Sequence, residues 1–574
     1  MSVNPHKRFN TTGPCVPSEH YLSPALIRVP DIAKLIDEKY YFIIRSPRQS
    51  GKTTFLLALE DNINKGDKYY ALYCSLEALD NVSNVETAME KVVIQINDSL
   101  KESPSPNLRK LCFPEGALPQ DDFTLIVRNT LNYICLNLDR DLVVLFDEAD
   151  CLSPQALIPF LRQIRQGFNQ RSKSAGAKFP RSLAIVGARD VRDCFTKEKR
   201  AEKAIDFNSL FNISEGALSV ADFSIDEISA LYGQLTAATG QEFAPQALER
   251  AWYWTEGQAW LVNALAKEII ETRLQGDYSR TITGEDFDQA AQSLLSREPV
   301  HLLSLKERVN EPKIRRVLEA VINGADSIPV EIPPADLKYA ADLGILKKNA
   351  LDDSAFRPAN PIYWDMILRT ISSSLHSALK NVTSPGFAQR WMDGEKLDMN
   401  GLLRAFQSYW RENAVKISLN YAMESRLATS VNDALDYYGY STDKNPVFDD
   451  LRESVKKTFA DMANEAVAHL AFIAFARWAL KGQDDLTPWE LALGMTGVDI
   501  PVNRRKRLYP LDIGLKGSLN REKMMERLEN YMDRHGVSEG WLVVFNLDFN
   551  TPWSEKITWE TLARRGKTIR GAGG

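Results

Sequence analysis

The chain of 574 residues holds only six cysteines and none beyond Cys194. Cys15, Cys74, Cys112, Cys135, Cys151 and Cys194 include no C-x-x-C pair, and no histidines cluster beside them. That excludes a disulfide framework and argues against a zinc site. Cys74 and Cys135 lie in apolar runs and are expected as buried free thiols. Long apolar runs are also missing. The longest, Ala466–Leu480, is broken by His469 and Arg477, whereas a bilayer span needs about twenty residues, so it reads as a buried helix. The first residues lack the apolar core of a signal peptide, and a cytoplasmic chain without membrane contact is expected. Neither charge dominates: 70 Lys+Arg against 76 Asp+Glu leave a formal net charge of −6. A surface that grips nucleic acid throughout is thereby disfavoured, although a local basic stripe is not. Internal repeats and low-complexity tracts are absent. The length sets a prior of about three to four domains.

What is present first is an alternation of strand-like and helical patterns over roughly the first 215 residues, as βα units produce. Tyr40–Ile44, Tyr69–Ser75, Leu142–Phe146 and Ser182–Gly187 are the strand candidates. From about Phe223 the period becomes helical. Ser224 and Glu227 form a capping box, and helical patterning runs on through Ala251–Thr272. Lys313–Ile322, Ala335–Leu343 and a β-like return over Ile345–Arg357 read as a winged helix. Asn381–Phe387 marks the next boundary. The remainder begins helical and finishes with the strand-like segments Tyr509–Leu515 and Gly540–Asn546. The closing Gly571-Ala-Gly-Gly574 is expected to be a flexible end.

Residues 46–53, Ser46-Pro47-Arg48-Gln49-Ser50-Gly51-Lys52-Thr53, follow the phosphate-binding pattern G-x-x-x-x-G-K-[ST] with Ser46 in place of the first glycine. Gly51 lets backbone amides approach phosphates, Lys52 reaches the β and γ oxygens, and Thr53 offers a hydroxyl to Mg²⁺. Serine is tolerable at position 46 if its φ stays negative. The apolar run Leu142–Phe146 then ends in Asp147 and Glu148. A buried parallel strand delivers such carboxylates to the same sheet edge as the loop. Asp147 is expected to hold Mg²⁺ and Glu148 to activate the attacking water. ATP is favoured over GTP as the nucleotide. Arg189 and Arg192, after the strand Ser182–Gly187, are candidates to meet the γ-phosphate. Gly257 allows a bend before a helix that either closes over the nucleotide or simply packs.

Together, Phe9-Asn-Thr-Thr-Gly-Pro14, Arg45–Thr54, Leu145–Asp150, Gly187–Asp193 and Gly257–Leu265 resemble the bacterial AAA-like ATPase family, which is related to the archaeal and STAND-type ATPases. The resemblance covers about residues 9–375. It implies an α/β fold with a parallel-sheet P-loop NTPase core (1–219), a helical lid (220–299) and a winged helix (300–380). ATP, Mg²⁺ and nucleotide-dependent self-association or another protein partner come with it. The nucleotide site it implies runs from Ser46 to Thr54. Ala259 departs from the proline that related ATPases often carry.

Residues 381–574 resemble a PD-(D/E)XK nuclease-like domain. Leu397–Gln407 is similar to its opening helix, Gly494–Asp499 to the segment carrying its first metal-binding Asp, and Tyr531–Phe545 to its last helix and strand. The residues matching its site are Asp499, Asp512 and Lys516, but Gly514 occupies the position of the second acid. Asp512 lies one pleat, roughly 6.5–7 Å, away. An inactive nuclease-like module is therefore expected, with an ATP-gated nuclease in phage or plasmid defence as the alternative. The helix Ala335–Leu343 carries Asp336, Lys338 and Asp342, a poor groove-reading set. DNA contact is left to local clusters: Arg504-Arg-Lys-Arg507 and the weaker Arg308, Lys313, Arg315 and Arg316.

Overall fold

The computed structural model describes residues 7–29, 31–80, 82–114, 122–171, 178–187, 214–322, 332–349, 352–371, 392–393, 396–424, 471–472, 475–476, 500–504, 507–515, 521–546 and 552–573. Two compact units emerge, residues 1–293 with 342–344, and residues 294–341 with 345–574.

In the first unit β1 (Tyr41–Arg45), β2 (Tyr69–Ser75), β3 (Asp141–Asp147), β4 (Ser182–Gly187) and β5 (Ser214–Leu218) form one sheet in the order β2-β3-β4-β1-β5. Every pairing is parallel. Such strands are buried on both faces and read as continuous apolar runs. Their alternation divides the core. Ile43, Leu72, Val144, Phe146 and Ile185 face α2 (Val85–Glu102), α3 (Ile126–Leu136) and α4 (Pro154–Gln170). Phe42, Ile44, Ala71, Val143, Leu145 and Ala184 face α1 (Lys52–Lys65) through Phe55, Leu56 and Leu59. The parity places Asp147, two beyond Leu145, on the α1 side. β2 is an edge strand, and α1 covers its open edge. Asn64 Oδ1 accepts from Ala71 N–H at 3.1 Å and Glu60 Oε1 from Tyr73 N–H at 2.9 Å. β5 was not among the expected strands, because Ser-Glu-Gly-Ala-Leu has no apolar pattern; its pairing with β1 makes it a strand.

Helices α5 (Ile225–Thr239), α6 (Pro245–Thr255) and α7 (Ala259–Lys267) follow, then a π-helical turn over Glu268–Arg273 and α8 (Gly284–Arg297). The capping box of Ser224 and Glu227 forms as expected. The helical pattern read through Ala251–Thr272 is not continuous. It breaks at Glu256 (φ 43°) and Gly257 (φ 79°). A Cβ on Gly257 would meet the Phe223 carbonyl oxygen at 2.0 Å. Gly257→Ala is therefore expected to cost on the order of 3 kcal/mol, from left-handed strain and a clash with backbone that cannot rotate away. Urea unfolding checks it; a loss under about 0.5 kcal/mol would contradict the packing.

The second unit begins with α9 (Val300–Val309), α10 (Pro312–Ile322) and α11 (Pro334–Asp342). An antiparallel pair, β6 (Leu346–Asn349) and β7 (Asp352–Pro358), and a helix Pro361–Ile371 come next. The cations read as a second basic patch are largely neutralised there. Arg308 pairs with Glu311 at 2.7 Å, Lys313 with Glu311 at 3.6 Å, and Arg316, 4% exposed, with Asp336 at 3.0 Å. These pairs tie α10 to its neighbours instead of presenting charge.

Further on, β8 (Ile500–Arg504), β9 (Arg507–Leu515), β10 (Glu539–Phe545), β11 (Thr558–Arg564) and β12 (Lys567–Gly573) form a mixed sheet, order β8-β9-β10-β12-β11. The helix Met399–Glu424 packs Phe406 and Trp410 on Phe545. The helix Arg521–His535 packs Leu528 and Met532 with Leu542 and Ile569. The expected flexible end is wrong: Gly571–Gly573 belong to a strand paired on both sides, and Gly573 O accepts from Gln407 Nε2. Glycine here makes room, since a Cβ on Gly571 would strike Glu560 Oε1 at 2.6 Å. Gly540–Asn546 is accordingly not the last strand. Arg504 pairs with Arg507 at the end of the β8–β9 ladder, and residues 505–506 lie outside the described residues. So do Asn381–Phe387 and most of Ala466–Leu480. Among the described residues no helix is long and apolar enough to cross a membrane.

Candidate functional site

The first unit brings the two sequence motifs together. β1 runs into the loop Ser46–Gly51, and α1 starts at Lys52. Gly51 takes φ +88°, a conformation that suits glycine, and its Cβ would stand 3.0 Å from the Arg28 guanidinium. Gln49 also turns left-handed, at φ 63°. Ser46 is not among the positive-φ residues, which is the condition set for serine at that position. Its hydroxyl has a task that glycine lacks, because Ser46 Oγ accepts the Val220 N–H at 2.7 Å. Pro47 is half-buried, and Arg48 and Gln49 are exposed. Ser50 is buried, and its Oγ has no hydrogen-bond partner among the described residues. Thr54 is turned elsewhere, its Oγ1 accepting from Cys15 N–H at 3.1 Å.

β3 meets this loop through its last residue. Thr53 Oγ1 donates to Asp147 Oδ2 at 2.7 Å across 94 residues of chain. Asp147 is 1% exposed, and two further donors hold it: Tyr73 OH reaches Oδ2 at 3.2 Å and Glu148 N–H reaches Oδ1 at 3.0 Å. Burial and the neighbouring Asp147 push the Tyr73 phenol up, which keeps it a donor. Lys52 Nζ donates to Ser46 O and Pro47 O, each at 2.8 Å. Burial lowers the Lys52 pKa, opposed by Asp147, Asp150 and Glu148. Glu148 stands in the left-handed region at φ 54°. Burial first, then Glu77, Asp147 and Asp150, raise its carboxyl above the ordinary value. Asp147 and Glu148 thus set a buried carboxylate beside a half-buried one whose affinity for protons is raised.

Two elements complete the surround. Residues 10–15 lie against α1 and α7: besides the Cys15–Thr54 bond, Trp260 Nε1 donates to Thr11 O at 2.9 Å. Gln258, at the start of α7, accepts from Leu261 N–H at 2.7 Å and donates through Nε2 to Gln49 O at 3.1 Å. Sequence reasoning missed Tyr73, Arg28 and this role of Gln258. Tyr73 left a faint signal, a hydroxyl-bearing side chain on the same strand parity as the Asp147 it serves. Arg28, a lone cation among Ala25-Leu-Ile and Val29, left none that distinguishes it from a surface arginine.

Arg189 and Arg192 lie outside the described residues, as do Asp499 and Lys516. Asp512 is described and fully buried. Both its oxygens are held by Arg527, Oδ2 by Nε at 2.9 Å and Oδ1 by Nη2 at 2.5 Å. Such a bidentate pair sets a guanidinium charge against both oxygens, which opposes a metal cation there.

No family model and no curated protein matches the chain. Among solved structures, the Walker-type ATPase PABY2304 of Pyrococcus abyssi is similar at 15% identity and a TM-score of 0.39, over 58% of this chain and 93% of that one. The Aeropyrum pernix ORC2 protein, in ADPNP and ADP complexes, is similar at 14% identity and a TM-score of 0.33, over 61% and 92%. The Thermotoga maritima RuvB Holliday junction branch migration motor shows 10% identity and a TM-score of 0.30, over 56% and 86%.

Proposed function

We propose that the chain binds and hydrolyses ATP and works as a switch whose nucleotide state controls assembly or the engagement of DNA or a protein partner. The contact of Thr53 with Asp147 at 2.7 Å carries this reading. It joins the loop-and-helix start to the end of β3 at one edge of a parallel sheet, where α/β folds bind phosphates. The residues fit the implied groups. Thr53 Oγ1 and Asp147 supply oxygen donors suited to Mg²⁺, and the buried Ser50 Oγ lacks a partner among the described residues. Bound Mg²⁺ would neutralise charge on the β and γ phosphates. Lys52 would bind the same oxygens, and the loop amides would orient them. Tyr73 keeps Asp147 aimed. Glu148, with its raised proton affinity, would take the proton of the attacking water.

Residues 220–299 act on this reading as a lid, 300–380 as a winged helix and 381–574 as a nuclease-like module without cleavage. The Asp512–Arg527 pair supports the last point. DNA contact would fall to the basic cluster Arg504–Arg507.

Glu148→Gln tests the assignment. Steady-state turnover should fall about a hundredfold or more while ATP binding persists. In the wild type, turnover should drop on acidification as Glu148 becomes protonated, with a midpoint above that of an ordinary carboxylate because its pKa is raised. Unchanged turnover in the variant rejects Glu148 as the base.

A further inference from the structure

The loop Ser46–Gly51 is held at four carbonyls. Lys52 takes those of Ser46 and Pro47. The other two are taken by side chains from distant parts of the first unit. Arg28 Nη2 donates to Ser50 O at 3.0 Å, and Gln258 Nε2 donates to Gln49 O at 3.1 Å. A peptide unit is planar and trans. Fixing the Gln49 and Ser50 carbonyls therefore fixes the N–H groups of Ser50 and Gly51 on the opposite side. These amides belong to the set that meets phosphate oxygens in a loop of this pattern. Neither Arg28 nor Gln258 needs to touch a nucleotide to determine where they point.

The same two side chains close a circuit. Besides Ser50 O, the Arg28 guanidinium holds Ala221 O, with Nε at 2.8 Å and Nη2 closer still. It also lies 4.5 Å from the centroid of the Phe223 ring. Phe223 N–H donates to Gly257 O at 2.8 Å, and Gly257 abuts Phe223 so closely that no Cβ fits. Gln258 is the next residue, and its amide returns to Gln49 O. Ser46 Oγ, bonded to Val220 N–H, adds a parallel tie from the same linker. Loop, linker 219–223 and the start of α7 are thus one hydrogen-bonded ring. Arg28 is only 5% exposed, and burial lowers its pKa, so its charge sits here at a solvation cost.

We infer that Arg28 and Gln258 are positioning residues that make phosphate binding by the loop depend on the seat of the lid, so that nucleotide occupancy and lid position are coupled. The inference rests on the nucleotide-binding reading above. By linkage, a lid that improves nucleotide affinity must itself be held more firmly when nucleotide is bound.

Two charge-conserving variants of the full chain test it. Arg28→Lys keeps the cation, but one ammonium cannot match the fork that spans Ser50 O and Ala221 O. Gln258→Ser keeps a helix cap for the Leu261 amide but cannot reach Gln49 O. ADP and Mg-ATP affinities are read by calorimetry. Amide hydrogen exchange of residues 219–223 and 257–262 is read with and without saturating ADP. The wild type should bind, with both segments protected by ADP. Each variant should weaken binding about tenfold, the double variant by less than the product of the two, and ADP at saturation should no longer protect 257–262. Wild-type affinity in the folded variants overturns the inference. So does weaker binding with full ADP-induced protection, which leaves the two residues a local structural role. If Arg28→Lys does not fold, Gln258→Ser decides alone. A wild type that binds no nucleotide fails the functional reading itself, a separate result from wild-type affinity in the variants.

Discussion

Lys52→Ala is expected to weaken ATP and ADP binding by at least about a hundredfold and to abolish turnover, with the fold unharmed. The ammonium is the only cation that α1 itself presents at the mouth of the loop, and charge-assisted contacts to phosphate in a partly buried site are worth far more than those in water. Stability should not suffer, for a physical reason visible in the free protein. Burial works against the charged form of Lys52, and the acids around it, led by Asp147, offset only part of that cost. Truncation removes the buried charge with its bonds to the Ser46 and Pro47 carbonyls. Calorimetric titration with nucleotide and urea unfolding without it separate the two effects. Retained tight ATP binding would sink the site assignment.

Asp512→Ala is expected to destabilise the C-terminal sheet by about 3–5 kcal/mol, because it takes the carboxylate from a largely buried Arg527 guanidinium. Asp512 sits within β9 opposite Leu542, and Arg527 reaches it from the helix packed on that face. A compensating pair of apolar residues, Asp512→Leu with Arg527→Met, should recover most of the loss, since a buried ion pair gives little net stability over well-packed hydrophobes. Urea unfolding of the three proteins checks this. A metal ligand of a working nuclease would behave differently: Asp512→Ala would then abolish cleavage at nearly unchanged stability.

Much of the proposed nucleotide site was legible in the residues. Lys52 and Thr53 follow a pattern whose spacing has a chemical reason, and Asp147 and Glu148 close an apolar run that only a buried strand explains. Strands Tyr69–Ser75 and Ser182–Gly187 match their expected spans, because strands buried on both faces are written as contiguous apolar segments. The capping box at Ser224 and Glu227 is legible for a similar reason: its partners lie three residues apart. Less was legible at the other end of the chain. Gly571–Gly573 have the composition of a loose tail, and only their pairing between β10 and β11 makes them a strand. Arg316 looked like part of a basic patch because Asp336, which folds onto it, lies twenty residues away, whereas Glu311, the partner of Arg308 and Lys313, is close by in sequence.

The sequence by itself therefore determined an α/β core with a loop of the phosphate-binding pattern, a carboxylate pair and no membrane-spanning apolar run. It could do so because each of those features is local, set by side-chain alternation, spacing within one turn or composition within one segment. Tertiary structure alone decided the insertion of β4 between β1 and β3 and the recruitment of β5. It also decided the use of Tyr73 on Asp147 and the grip of Arg28 and Gln258 on the loop. Those depend on strand register and on hydrogen bonds between residues 22 to 209 positions apart, where neither partner carries a mark of the other. The scarcity of cysteine fits the same division. The described cysteines are free thiols, so long-range pairing among the described residues rests on packing, strand register and hydrogen bonds.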